Sequence, residues 1–192
     1  MPPIEAIRNI QRLIWLYFWL LIFEGALRKW VLPQLSTPLL IIRDPVVIGA
    51  YFLAWRSGVF PKDIFTRLII AVSFVSFLGG LAAVIISEVN NLTVTFFGLR
   101  SNFLHLPLIF LIPKVFNLDD VKQLGKLILL LSIPMAILMI CQFASSPSDL
   151  INRGASDEAK QISAALGKIR PSATFSFISG PIFYFSLVDS FL

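Results

Sequence analysis

From Ile64 to Ile86 the chain carries a single charge, Arg67, and no proline. A run of about twenty apolar residues has the length needed to cross the hydrocarbon core of a bilayer as a helix. Similar runs recur along the chain, and several have no polar face that could meet water. Composition agrees: 57% of the 192 residues are apolar and 14% are charged, against about 45–50% and 25% in soluble domains. The chain is therefore expected to be all-α, a polytopic transmembrane helical bundle of about six spans. Residues 1–192 form a single transmembrane domain in this reading.

The expected spans run from about Leu13 to Leu32, Leu39 to Trp55, Ile64 to Ile86, Phe96 to Ile112, Leu124 to Phe143, and Phe175 onward. Trp15, Tyr17, Trp19 and Trp30 place aromatics at both ends of the first, as membrane interfaces favour. Arg43-Asp44-Pro45 interrupts the second. An Asp followed by Pro is a capping residue and a first-turn residue, so the regular helix there is expected to begin at Pro45. Asp63 caps the third span, Gly79-Gly80 marks a close-packing point within it, and Pro107 kinks the fourth. Between spans five and six, residues 144–174 form a polar loop outside the cytoplasm. Within the loop, Ser156 caps a short amphipathic helix whose apolar face carries Ile162, Ala165, Leu166 and Ile169, stopped by Pro171. The chain is still apolar at Leu192, which reads as a fragment of a longer protein.

The net charge of +5 does not indicate a nucleic-acid partner, because the cations lie scattered between apolar runs. They read as loop charges that orient the spans and meet lipid headgroups, so membrane lipids are expected partners. Cations divide evenly between the two sides. Arg153, Lys160, Lys168 and Arg170, however, belong to the long loop or its junction with span six, where charge orients weakly. Discounting them places the N-terminus in the cytoplasm.

Glu24 and Arg28, four apart on one helix face, are in the favourable order for an ion pair. A carboxylate that deep must face protein or a wet cavity. It is either a structural lock or the wall of a polar cavity, with Asp44 and His105 as further candidates for that cavity. His105 reads first as a buried neutral histidine hydrogen-bonded within the bundle, with a general base or proton relay as the lesser alternative, since its span carries no partner carboxylate. Arg28, Lys29, Arg43 and Arg100 fall toward the outer face, and Arg170 precedes span six on the same side. Each can be a snorkelling boundary residue. Together they have the chemistry to hold a lipid pyrophosphate, since Arg grips phosphate oxygens through a bidentate fork. The lone Cys141 excludes an internal disulfide, and no metal-ligand spacing or nucleotide loop occurs, so no metal or other cofactor is expected.

The stretch Arg170-Pro171-Ser172-Ala173-Thr174-Phe175 resembles the Arg-x-x-Gly-Thr-Phe pattern that opens a span in the bacterial O-antigen ligase and polymerase superfamily. Ala173 stands at its Gly position, and Ile178-Ser179 near where many members carry Pro-Asn. Phe23-Glu24-Gly25-Ala26-Leu27-Arg28-Lys29-Trp30, Arg43-Asp44-Pro45 and Gly98-Leu99-Arg100-Ser101 are similar to segments of uncharacterised members. The resemblance implies the N-terminal half of a protein of about twelve spans in a bacterial inner membrane. Such a protein transfers or polymerises glycan from an undecaprenyl-pyrophosphate carrier at the periplasmic face, with arginines holding the pyrophosphate. It implies a membrane glycosyltransferase without a metal or nucleotide cofactor. His105 does not match the family's essential histidine, which belongs to a later loop. A transporter or lipid flippase, and a non-catalytic membrane subunit of an envelope polysaccharide system, remain alternatives.

Overall fold

A computed structural model describes residues 4–86, 92–155 and 167–192. The expected amphipathic helix from Ser156 falls largely on residues 156–166, outside the described residues. Everything regular among the described residues is helical: α1 (Ile4–Ala26), α2 (Ser36–Leu39), α3 (Arg43–Arg56), α4 (Ile64–Ile86), α5 (Leu92–Leu99), α6 (Leu108–Val115), α7 (Leu118–Ala144) and α8 (Ser179–Asp189). The chain is an all-α membrane helical bundle. Five of its helical stretches are long and apolar enough to cross a bilayer: Ile4–Val31, Pro33–Arg56, Ile64–Ile85, Thr95–Val115 and Leu118–Ala144.

Several element boundaries differ from those expected. α3 begins at Arg43, not Pro45, with Asp44 in its first turn. The missing N–H of Pro45 does no harm there, because the first four amides of a helix have no partner within it. α7 starts six residues before the expected Leu124, because Asn117 and Asp120 close a capping box. The Asp120 amide donates to Asn117 Oδ1 at 2.8 Å, and the Asn117 amide donates to Asp120 Oδ2 at 3.0 Å. The fourth span breaks rather than bends: five residues of wide π-turn, Arg100–Leu104, lead to the interruption at His105–Pro107. α8 starts at Ser179, not Phe175, and its 11 residues reach about 16 Å, roughly half of a hydrocarbon core.

The contacts divide the chain into two compact units. One comprises Met1–Ile14 and Val46–Phe116, the other Trp15–Pro45 and Asn117–Leu192. In the first, Ile10, Ile14, Val47, Ala50, Ala54, Leu108 and Leu111 are buried. Two polar side chains there satisfy carbonyls left over at helix breaks and ends: Gln11 Nε2 donates to Val115 O at 2.7 Å, and Tyr51 Oη to Leu104 O at 2.9 Å. Gly80 lies against the side chain of Thr95, which leaves no room for a Cβ, whereas Gly79 faces open space.

The second unit has its core in Ile22, Leu124, Ile128, Met135, Ala173, Tyr184 and Val188. Tyr184 Oη donates to Ile128 O at 2.7 Å, so its hydroxyl is satisfied inside the apolar cluster. α1 and α7 run parallel here. Trp15 and Trp19 line one groove with Lys126, Leu127 and Leu130, while Lys29 at the far end of α1 and Gln142 near the end of α7 both bind Ala173. α8 returns antiparallel to α7, with Phe191 against Gly125.

Candidate functional site

The C-terminal end of α1 unwinds into a π-turn, Leu27–Val31. That turn points consecutive cations, Arg28 and Lys29, into protein instead of lipid. Both are buried, at 5% and 1% exposure, as is Glu24 at 4%. Wide turns of this kind expose backbone that an α-helix would close, and they often occur at functional positions.

Glu24 is the hub. Its Oε1 lies 3.5 Å from Arg28 Nη1 and its Oε2 2.7 Å from Arg43 Nε. The expected pair with Arg28 is therefore present, and the shorter contact is with Arg43, which enters from the start of α3. Arg28 is held on two further sides: Nε donates to Ser36 O and Nη1 to Ser176 Oγ, each at 2.8 Å. A guanidinium fixed by three different elements has little freedom to reorganise.

Lys29 serves another purpose. Its Nζ donates to Ser172 Oγ at 2.6 Å and to Ala173 O at 3.0 Å, and stands 5.5 Å from the Trp30 ring centroid. With two of its three donors given to the chain's own oxygens, it fastens the segment before α8 to α1. Gln142, fully buried, fastens the same segment to α7: Nε2 donates to Ala173 O at 3.3 Å, and Oε1 accepts from the Ala173 amide at 2.8 Å. Thr174 Oγ1 donates to Ile22 O at 2.7 Å. Gly25 makes this docking possible, because a Cβ there would run into the backbone of Thr174, Phe175 and Ser176.

Ile22 lies nine residues before Val31, about 13 Å along the helix. Non-helical backbone at that depth survives only where it is enclosed by protein or lines a wet cavity. Ser172 to Ser176 meets that condition through the bonds just described. Gln142 and the Gly25 contact were absent from the sequence-based candidate residues. A lone Gln in an apolar span was the available sign.

Beside Arg28 a cleft of about 170 Å³ opens, lined by Pro33, Gln34, Ser36, Thr37, Arg153, Gly154 and Ala155. At about 30 Å³ per water it has room for a phosphate-sized group. Ser36 Oγ donates to Ala155 O, closing one wall. Arg153, on the exposed rim, adds a second cation that the candidate set did not contain.

The structure thus gathers Glu24, Arg28, Lys29 and Arg43 with Asp44 in one unit. Arg170 belongs to that unit too, but its side chain is exposed. Its neighbours Ser172 to Ser176 make the contacts. Arg100 and His105 belong to the other unit. Arg100 lies 5.8 Å from the Phe97 ring centroid, and His105, half-buried, ends the π-turn in the broken fourth span. Among the described residues no group of acidic, His and Cys side chains could hold a metal ion. Compared with protein-family models, with curated proteins and with solved structures, the chain matches none of them.

Proposed function

We propose that this chain handles a lipid-pyrophosphate-linked glycan at the periplasmic face of a bacterial inner membrane, as part of an O-antigen ligase- or polymerase-like glycosyltransferase. The observation that carries this reading is the cleft between Arg28 and Arg153, backed by the pairing of buried Glu24 with half-buried Arg43. A transfer reaction of this kind releases a lipid pyrophosphate, and fixed cations stabilise its developing charge without reorganising. Arg28 is such a cation. Glu24 is ion-paired to two guanidinium groups, so in this reading it orders the cations and is not a proton acceptor. With the N-terminus in the cytoplasm, as the loop charges favour, the ends of α1 and α7, and the cleft with them, face the periplasm.

The test uses the purified chain in detergent with farnesyl pyrophosphate, farnesyl monophosphate and farnesol as probes. Saturating pyrophosphate should stabilise the fold by about 2–3 kcal/mol at a hundredfold excess over Kd, and farnesol should not. Arg153→Gln should abolish the difference between the probes, each compared with the same variant without ligand. Equal stabilisation by all three probes would refute a pyrophosphate site.

The broken helices favour a second reading, a lipid transporter or flippase, because transporters build sites from discontinuous spans. Passage of a labelled polyprenyl pyrophosphate across proteoliposomes, without any acceptor, would select it.

A further inference from the structure

At the opposite end of α1 and α7 from that site, a groove of about 490 Å³ runs between the two helices. That volume lies within the range of about 300–1,000 Å³ typical of small-molecule sites. Trp15, Trp19, Leu127 and Leu130 form its apolar walls, and Gln123 and Lys126 its polar end. Trp19 is held by stacking on Phe23, centroids 5.5 Å apart, and Trp15 packs against the apolar core. The walls are therefore fixed rather than formed on demand.

Lys126 lies eight residues into α7 from Leu118, about 12 Å along its axis. α7 has 27 residues, about 40 Å, which spans the roughly 30 Å hydrocarbon core with several ångströms to spare at each end. The Lys126 backbone is thus inside the hydrocarbon edge, and its long stem reaches back toward the headgroups. Among the described residues it has neither an ion pair nor a hydrogen bond; the neighbouring Lys122 pairs with Asp119 instead. An ammonium brought back to the hydrocarbon edge is best satisfied by an anionic headgroup.

We propose that this groove binds one anionic phospholipid, with its phosphate on Lys126 and Gln123 and an acyl chain along Trp15, Trp19 and Leu130. Charge selects this occupant over a protein helix. A helix laid in the groove would cover Lys126 with apolar surface and leave its ammonium without a partner, whereas a lipid supplies a phosphate at the level the side chain reaches. The inference does not depend on the pyrophosphate cleft.

The full chain is reconstituted in phosphatidylcholine vesicles containing either brominated phosphatidylglycerol or brominated phosphatidylcholine at equal mole fraction. Tryptophan emission is then recorded. A Trp15→Phe, Trp19→Phe variant identifies the share of the signal that comes from the groove. The anionic lipid should quench that share with about fivefold higher apparent affinity, the effect expected of one lysine beside an anionic lipid. Lys126→Gln should remove the preference and Lys126→Arg retain it. Equal quenching of the wild-type chain by the two lipids would overturn the proposal. So would emission from Trp15 and Trp19 that neither lipid touches, the result expected if a protein helix covers the groove.

Discussion

Glu24 faces two guanidinium groups, and their distances set what its replacement should do. Glu24→Gln leaves buried Arg28 and half-buried Arg43 without their carboxylate, and breaking a buried pair typically costs about 3–5 kcal/mol. Arg28 keeps Ser36 and Ser176 as acceptors, whereas Arg43 loses its 2.7 Å contact and keeps the Tyr17 side chain beside it. Adding Arg43→Gln to Glu24→Gln should therefore recover more stability than adding Arg28→Gln, as read from unfolding in detergent. Strictly additive losses in both double variants would rule out the network. The Arg28 contact was legible in the sequence because it follows helix spacing. The Arg43 contact was not, since no local rule pairs residues on different helices. Ala173 carries a second residue-scale consequence. Its φ of 49° lies in the left-handed region, which costs an L-residue roughly 1–2 kcal/mol. Ala173→Gly should raise the melting temperature, and Ala173→Val should lower it, because a β-branched side chain fits that backbone poorly and the site is buried.

Spans one to five were readable because apolar length alone selects a membrane helix, and their existence did not depend on partners. The stretch before α8 was not. Phe175, Phe177 and Ile178 continue the apolar run, so hydropathy starts a helix there. Just ahead of it the Ala173 backbone instead gives its hydrogen bonds to Gln142 and Lys29, contacts that only the folded chain brings together, and the Phe175 amide turns back to Ser172 O. This segment rests on Gly25, and a pair of glycine substitutions tests it. Gly25→Ala should destabilise by about 1–3 kcal/mol, the usual range for an overpacked core, since the obstacle is backbone rather than a movable side chain. Gly49→Ala should be nearly neutral, because its Cβ would meet Leu13 Cδ1 at an ordinary 3.7 Å. Comparable melting temperatures for the two variants would mean that Ser172 to Ser176 does not depend on that close approach.

The sense of the helices in the second unit bears on the whole molecule. α1 begins the first span and α7 forms the fifth, with three spans between them. Helices that cross a membrane in series alternate in direction, so the first and the fifth must run parallel, as α1 and α7 do. That relation brings Trp30 to the loop after α7, where its Nε1 donates to Leu150 O at 3.0 Å. It leaves open which side of the membrane this end faces. The proposed function takes it to be the outside, the side that loop charge favours once the long loop's own cations are discounted. Ser146, exposed just beyond α7, reports the answer. In a Cys141→Ala background, needed because Cys141 is itself exposed, Ser146→Cys should react with an impermeant maleimide in intact cells, and a cysteine at Glu5 should react only after permeabilisation. The reverse pattern would place Arg28, Arg43 and Arg153 in the cytoplasm. Glycan transfer at the periplasmic face would then have no cation cleft to use, and the proposed function would fail with the topology.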